Sequence, residues 1–300
     1  MTGPLSHTGL AERIGVSLSA DVNAGVVEFA ARLAADAGAV AVLFYGSNLR
    51  TGALDGVLDF YVLMPGPQQE KIWPRVSYHE WDHGGQTLRA KVARMALTTF
   101  AEAAGGDRRD TTIWARFVQP SALAWLADES FREELITAIA DAACTAARLA
   151  AALGPDRGTA EDYWRALFRA TYRAELRVEQ PGREDSILSV NRDHFGGLLP
   201  LAWSAQNIPF DRDGAVLTPH LEPAQRGKIL RWWASRRRLG KPLNLLRLVK
   251  ATTTFEGAAR YGAWKLERHT GVAVEMTPWR EKHPLLAAPG VLFRLWRQRR

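Results

Sequence analysis

Apolar residues run unbroken from Val40 to Tyr45. They run again from Val57 to Met64, with one acid inside the run. Runs of this length, bounded by Gly46, Gly56 and Pro65-Gly66-Pro67, predict two buried strands. The nine-residue link between them, Asn48–Gly56, is too short for a crossover helix with loops and has room for a helical turn. Ahead of them, Asp21–Gly38 has helical spacing, with Asp21 to cap it and Gly38 to end it. Pro74–Trp81 alternates as a third strand, Asp82–Gly85 reads as a hairpin turn, and Thr87–Leu97 supplies its partner.

The texture changes after Ser121. Phe131–Leu153 is Ala-rich and helical, and Glu161–Glu179 places Trp164, Leu167, Phe168, Thr171 and Tyr172 at helical spacing. The stretch through Pro181 and on to Trp203 reads as loop. Gln225–Leu239 is amphipathic, Pro242–Thr254 is apolar and basic, and Phe255–Arg268 is helical. The last residues put Val291, Leu292, Leu295 and Trp296 on one face. The pattern predicts an α+β chain: a mixed sheet with flanking helices (1–120), a mainly helical domain (121–222) and a basic amphipathic C-terminus (223–300).

Charge sharpens that division. Residues 224–300 hold 18 Lys and Arg against four acids, so +14 of a net +7, which leaves −7 on the remainder. A basic module on an acidic body points to an anionic partner, a membrane surface or a nucleic acid. Trp232, Trp233, Trp279 and Trp296 interleaved with Arg and Lys favour the membrane interface. Cys144 is the only cysteine. It excludes an intramolecular disulfide, suits a reducing cytoplasm and reads as a small core residue. No apolar run approaches the roughly 20 residues of a membrane span. The N-terminus lacks the layout of a secretory leader.

The candidate chemistry sits on the two apolar runs. Gly46-Ser47 at the end of the first lets backbone amides approach a phosphate, with Arg50 close behind. Asp59 in the second offers a hard oxygen to magnesium. Leu58, Phe60, Val62 and Leu63 around it demand that its charge be offset. Many nucleotidyltransferases carry a second acid two residues on, and that position is Tyr61. Asp55, Glu80 and Asp82 are the alternatives for the second carboxylate. His79, His83 and His194 form no ligand spacing.

These residues, taken in order, resemble the Tam41-type phosphatidate cytidylyltransferases over roughly Val40 to His269. Phe44-Tyr45-Gly46-Ser47 is similar to that family's YGS, and Leu58-Asp59-Phe60 to its apolar-Asp-Phe. Leu88–Val92 is similar to its Lys-bearing strand. Trp114–Pro120 resembles its AGRLxKP, with Gln119 in place of Lys. Tyr172–Arg177 resembles its YxGDxR, with Ala174 and Glu175 in place of Gly and Asp, and Lys250–Arg268 resembles its closing helix. The resemblance implies transfer from CTP to phosphatidic acid, giving CDP-diacylglycerol and pyrophosphate, with Mg²⁺ as cofactor. It also implies cytoplasmic, peripheral binding at the inner face of the cell membrane through the C-terminal module. On this reading Asp59 and Lys91 are catalytic, and Gly46, Ser47, Arg50 and Arg116 bind nucleotide. Asp59, Asp55 and Glu80 hold metal, and Tyr172, Glu175 and Arg177 bind substrate. Transfer to another acceptor, or an inactive adaptor that binds membrane or nucleic acid, stays open.

Overall fold

A computed structural model describes residues 5–175, 183–254, 257–270 and 276–282. The N-terminal half builds α1 (Leu5–Leu18), α2 (Ala24–Ala37), β1 (Ala41–Tyr45), α3 (Ser47–Thr51), β2 (Leu58–Met64), β3 (Arg75–His83), β4 (Gln86–Ala96), α4 (Leu97–Ala104), α5 (Thr112–Phe117) and β5 (Ser121–Leu126). Then follow α6 (Arg132–Leu153), β6 (Gly158–Thr159), α7 (Ala160–Ala174), α8 (Arg183–Val190), α9 (Arg192–Ala205), β7 (Phe210–Asp213), β8 (Val216–Pro219), α10 (Pro223–Thr254), α11 (Ala258–Thr270) and α12 (Pro278–Lys282). The chain is α+β, as its pattern predicts.

The main sheet has the order β3-β4-β2-β1-β5. It is mixed: β2 runs parallel to β4 and every other pair is antiparallel. Alternate residues of a strand face opposite sides, and β2 shows the consequence. Leu58, Phe60 and Val62 pack with Phe29 and Leu33 of α2 on one face. Tyr61 and Leu63 join the larger core on the other, with α1, α4, α5, α6, α7 and α9. Asp59 shares that second face, at the end of β2 nearest Gly46.

Several boundaries differ from the sequence reading, each for a physical reason. The cap of α2 is Asn23, whose side chain accepts from the Gly25 amide, and not Asp21. The α7 helix stops at Ala174. The stretch read as loop holds α8 and α9, in spite of Pro200, because Phe195, Leu198, Leu199, Ala202 and Trp203 line one buried face. The β7–β8 hairpin and α1 were not foreseen either. The cut at residue 120 falls inside the sheet, since β5 pairs with β1 along its length. The reading that no stretch suffices for a membrane span needs amending: Glu129–Leu153 is long and apolar enough, but 67% of its most apolar window is buried. It is the central core helix, packed by α1, α4, α5, α7, α9 and α10. Cys144, on α6, is partly buried and burial pushes its thiol up to about 12.

The C-terminal module is not an appendage. α10 is one continuous helix across Pro242. Its first half buries Ile229 and Trp233, and Trp232 and Trp233 pack on Trp114 of α5. Gly240 lies where a Cβ would stand 2.3 Å from the Ala174 carbonyl oxygen, so only glycine lets α10 pass the end of α7. Its second half crosses the open face of the sheet. The tail from residue 283 to 300 lies outside the described residues.

Candidate nucleotide and phosphate cleft

The register of the sheet builds the site. Asp59 on β2 stands between Tyr45 on β1 and Lys91 on β4, and Lys91 in turn faces Tyr78 on β3. All four share the face that α10 and α11 cover. The chain leaves β1 through Gly46, whose φ of 92° belongs to glycine. A Cβ there would lie 3.0 Å from Asp59 Oδ2. Gly46 therefore makes room for the carboxylate as well as for the turn. Arg50 folds back and donates to the Gly46 carbonyl at 3.2 Å. Ser47 is exposed, and its hydroxyl donates to Asn48 Oδ1 at 3.3 Å. Asn48, which the sequence reading passed over, is buried and its amide ties down the carbonyls of Ala53 and Asp55 at 2.9 and 3.0 Å. Because α3 is only five residues long, its dipole is small. The cations that could offset an anion's charge here are therefore those of side chains.

Those cations converge. A cleft opens between the sheet and α10. Tyr45, Tyr61, Lys91 and Arg116 line one side of it, and Asn244, Arg247 and Lys250 of α10 line the other. The lining residues include four cations and no acid. Arg116 donates to Tyr61 Oη at 3.2 Å, and its guanidinium lies 5.3 Å from the Tyr45 ring centre and 5.8 Å from that of Tyr61. The position where a second acid was expected thus serves a guanidinium. Arg247 donates to the Trp73 carbonyl at 2.8 Å and is ion-paired with buried Asp110. Lys250 donates to the Ile72 carbonyl. Arg247 and Lys250 were not foreseen as site residues. In the sequence they look like any other cation of a basic helix, and only the path of α10 over the sheet distinguishes them.

Electrostatics follow from this crowding. Burial raises the Asp59 carboxyl above its ordinary range, and the charges of Lys91 and Arg116 pull it back only in part. Burial likewise lowers Lys91, with Asp59 opposing and Arg116 and Lys265 adding to the fall. Burial also works against the charge of Arg116, but Tyr45, Tyr61, Glu175 and Asp59 outweigh it and hold its pKa above the ordinary value. Lys91→Met would remove a cation that favours the ionised carboxylate, so the Asp59 carboxyl should titrate at higher pH than in the parent. A carbon-detected titration of labelled aspartate measures it, and an unmoved midpoint would refute the Asp59–Lys91 coupling.

The other expected ligands are placed as follows. Glu80 shares the face of Asp59 but sits two strands away, roughly 10 Å across the sheet. There it accepts from Tyr78 Oη at 2.9 Å and lies 3.4 Å from Arg89. Asp55 is exposed on the loop ahead of β2. Among the described residues no group of three His, Cys, Asp or Glu side chains converges on one ion position. The expected trio of Asp59, Asp55 and Glu80 is therefore not assembled. A lone carboxylate facing two cations does not fit a resident magnesium centre made by protein carboxylates. Tyr172 stacks on Phe168 against the helical core and is not among the cleft-lining residues. Glu175 is buried, accepts from Thr111 Oγ1 at 3.1 Å and acts on Arg116. Arg177 lies outside the described residues. The Asp193-His194 pair is structural. Both its carbonyls accept from Arg13 of α1, and the His194 ring bonds the Val118 carbonyl at 2.9 Å.

No protein-family model matches the chain, and no curated protein matches it either.

Proposed function

We propose that this protein is a nucleotidyltransferase working at a membrane surface, and that its reaction is CTP plus phosphatidic acid giving CDP-diacylglycerol and pyrophosphate. The observation that carries the reading is the cleft with four cations in its lining, beside a single strand-borne carboxylate and the Gly46 turn. Phosphates are the ligands such a lining suits. The base and the lipid come from the resemblance to the cytidylyltransferase family.

In the proposed chemistry a phosphomonoester oxygen of phosphatidate attacks the α-phosphorus of CTP. The bond to the bridging oxygen breaks, and pyrophosphate leaves with its charge. Lys91 and Arg116 offset the charge that develops, in a site already partly stripped of water. Magnesium would come with the nucleotide, whose phosphates would supply most of its oxygens, and Asp59 would be the one strand carboxylate at hand to add to them.

The membrane is proposed from α10. Leu245, Leu246 and Val249 are 56%, 47% and 58% exposed on a helix that also carries Arg237, Arg238 and Lys241 at the surface. Exposed apolar side chains among basic ones suit an anionic bilayer, at the cytoplasmic side where such lipids lie.

The missing second carboxylate favours one other reading, an inactive adaptor for membrane or nucleic acid. One assay separates the two. Purified protein with labelled CTP, Mg²⁺ and phosphatidate liposomes should pass label into the lipid phase. If CTP binds and no label moves, the adaptor reading replaces the enzyme.

A further inference from the structure

The two halves of α10 are held by different forces. The first is pinned by apolar packing: Ile229 and Trp233 are buried, and Trp232 and Trp233 lie on Trp114. Beyond Trp233, α10 has no buried apolar side chain among the described residues. Its second half is tied to the body by polar contacts instead. Arg247 pairs with Asp110 and donates to the Trp73 carbonyl at 2.8 Å, and Lys250 donates to the Ile72 carbonyl. The joints are local. Pro242 has no amide to donate to the carbonyl four residues back, and Gly240 is a weak helix former. Past the other end of the segment, Gly257 has a φ of 77°, which suits glycine. The two faces also differ. Asn244, Arg247 and Lys250 line the cleft, while Leu245, Leu246 and Val249 are exposed.

We infer that residues 241–254 form a flap over the cleft, latched by Arg247 on Asp110 and lifted by an anionic membrane surface. The inference rests on the membrane reading above and adds control of access to that same cleft. Lifting exchanges one set of partners for another. Arg247 leaves a carboxylate, and Lys250 a carbonyl, for lipid phosphates. The three apolar side chains leave water for the interface. Asp110, which is buried, keeps the amide and hydroxyl of Thr112 as donors. A zwitterionic bilayer offers no net negative charge in place of Asp110, so it leaves the flap shut.

A single-cysteine reporter tests this. Ala93 lines the cleft across from α10 and is 6% exposed. In the full chain carrying Cys144→Ala and Ala93→Cys, a water-soluble methanethiosulfonate should label the thiol about tenfold faster on phosphatidylserine vesicles than in solution. Phosphatidylcholine vesicles should leave the rate unchanged. Asp110→Asn keeps an oxygen for the Thr112 amide and removes the latch's charge, so it should label at the faster rate without vesicles. Co-sedimentation of the same samples separates the outcomes. Vesicle-bound protein whose labelling does not speed up overturns the flap and spares the membrane reading. An Asp110→Asn rate equal to the parent's overturns the latch, and an equal rise on phosphatidylcholine overturns the role of charge. Protein that sediments with neither vesicle sinks the membrane reading, and the membrane-lifted flap with it. Val76→Cys, in the same lining, is a second reporter, and melting temperatures like the parent's separate a lifted flap from a lost fold.

Discussion

Asp59→Asn should lower lipid labelling about 10³-fold while leaving the fold intact. On the proposed reading the carboxylate belongs to the reacting centre: it faces Lys91 and Arg116 and fills the room that Gly46 leaves. Its stability contribution has the opposite sign from that of an ordinary ion-paired acid. The folded pKa is raised, so the folded state holds a proton that the unfolded chain gives up near pH 4. Stability therefore falls as pH rises from that value through the folded pKa. The asparagine variant lacks this loss and should be no less stable than the parent at pH 7. Urea unfolding and the liposome assay, run on the same preparation, check both halves. Full labelling by the variant would remove Asp59 from the chemistry.

Arg116→Ala should cost about 3 kcal/mol of folding stability, measured by urea unfolding at pH 7. Its guanidinium bonds Tyr61, lies over two tyrosine rings and faces Glu175 and Asp59. Removing it takes a cation away from Asp59 and Glu175 together, and that, more than the lost hydrogen bond, sets the magnitude. Arg116→Lys should recover only part, because an ammonium cannot both donate to the phenol and stack on the rings. A loss below about 0.5 kcal/mol, the usual size for a surface change, would mean that this network carries little weight.

The strands were legible because burial on both faces writes itself as unbroken apolar runs, as at Val40–Tyr45. The hairpin was legible because Gly84-Gly85 permits the turn. The helices α8 and α9 were hidden by Pro200 and the glycine pair at Gly196-Gly197, local signals that the burial of Phe195, Leu199 and Trp203 overrides. Gly46 and Asp59 were visible at the end of one apolar run and inside the other, whereas Lys91 and Arg116 were named through the family resemblance, since Lys91 lies between Arg89 and Arg94 and does not stand out. Asp55 was a candidate by nearness in the chain, and Glu80 as a neighbour in the sheet. Strand order, which sequence spacing does not encode, put β4 and its Lys91 between β2 and Glu80. Arg247 and Lys250 were hidden for the same reason: their role comes from tertiary path and not from local pattern.

The course of α10 limits how this protein can be dissected. Asn244, Arg247 and Lys250 line the cleft, while Leu245, Leu246 and Val249 alternate with them along the same stretch of about two turns. Upstream, the same helix covers Trp114. A truncation at residue 222 would strip a core tryptophan, unroof a pocket and delete an apolar surface in one stroke. Serial deletions or swapped segments would therefore report a blend of three losses. Only single substitutions, paired across neighbouring positions of the helix, can attribute a phenotype to one of them.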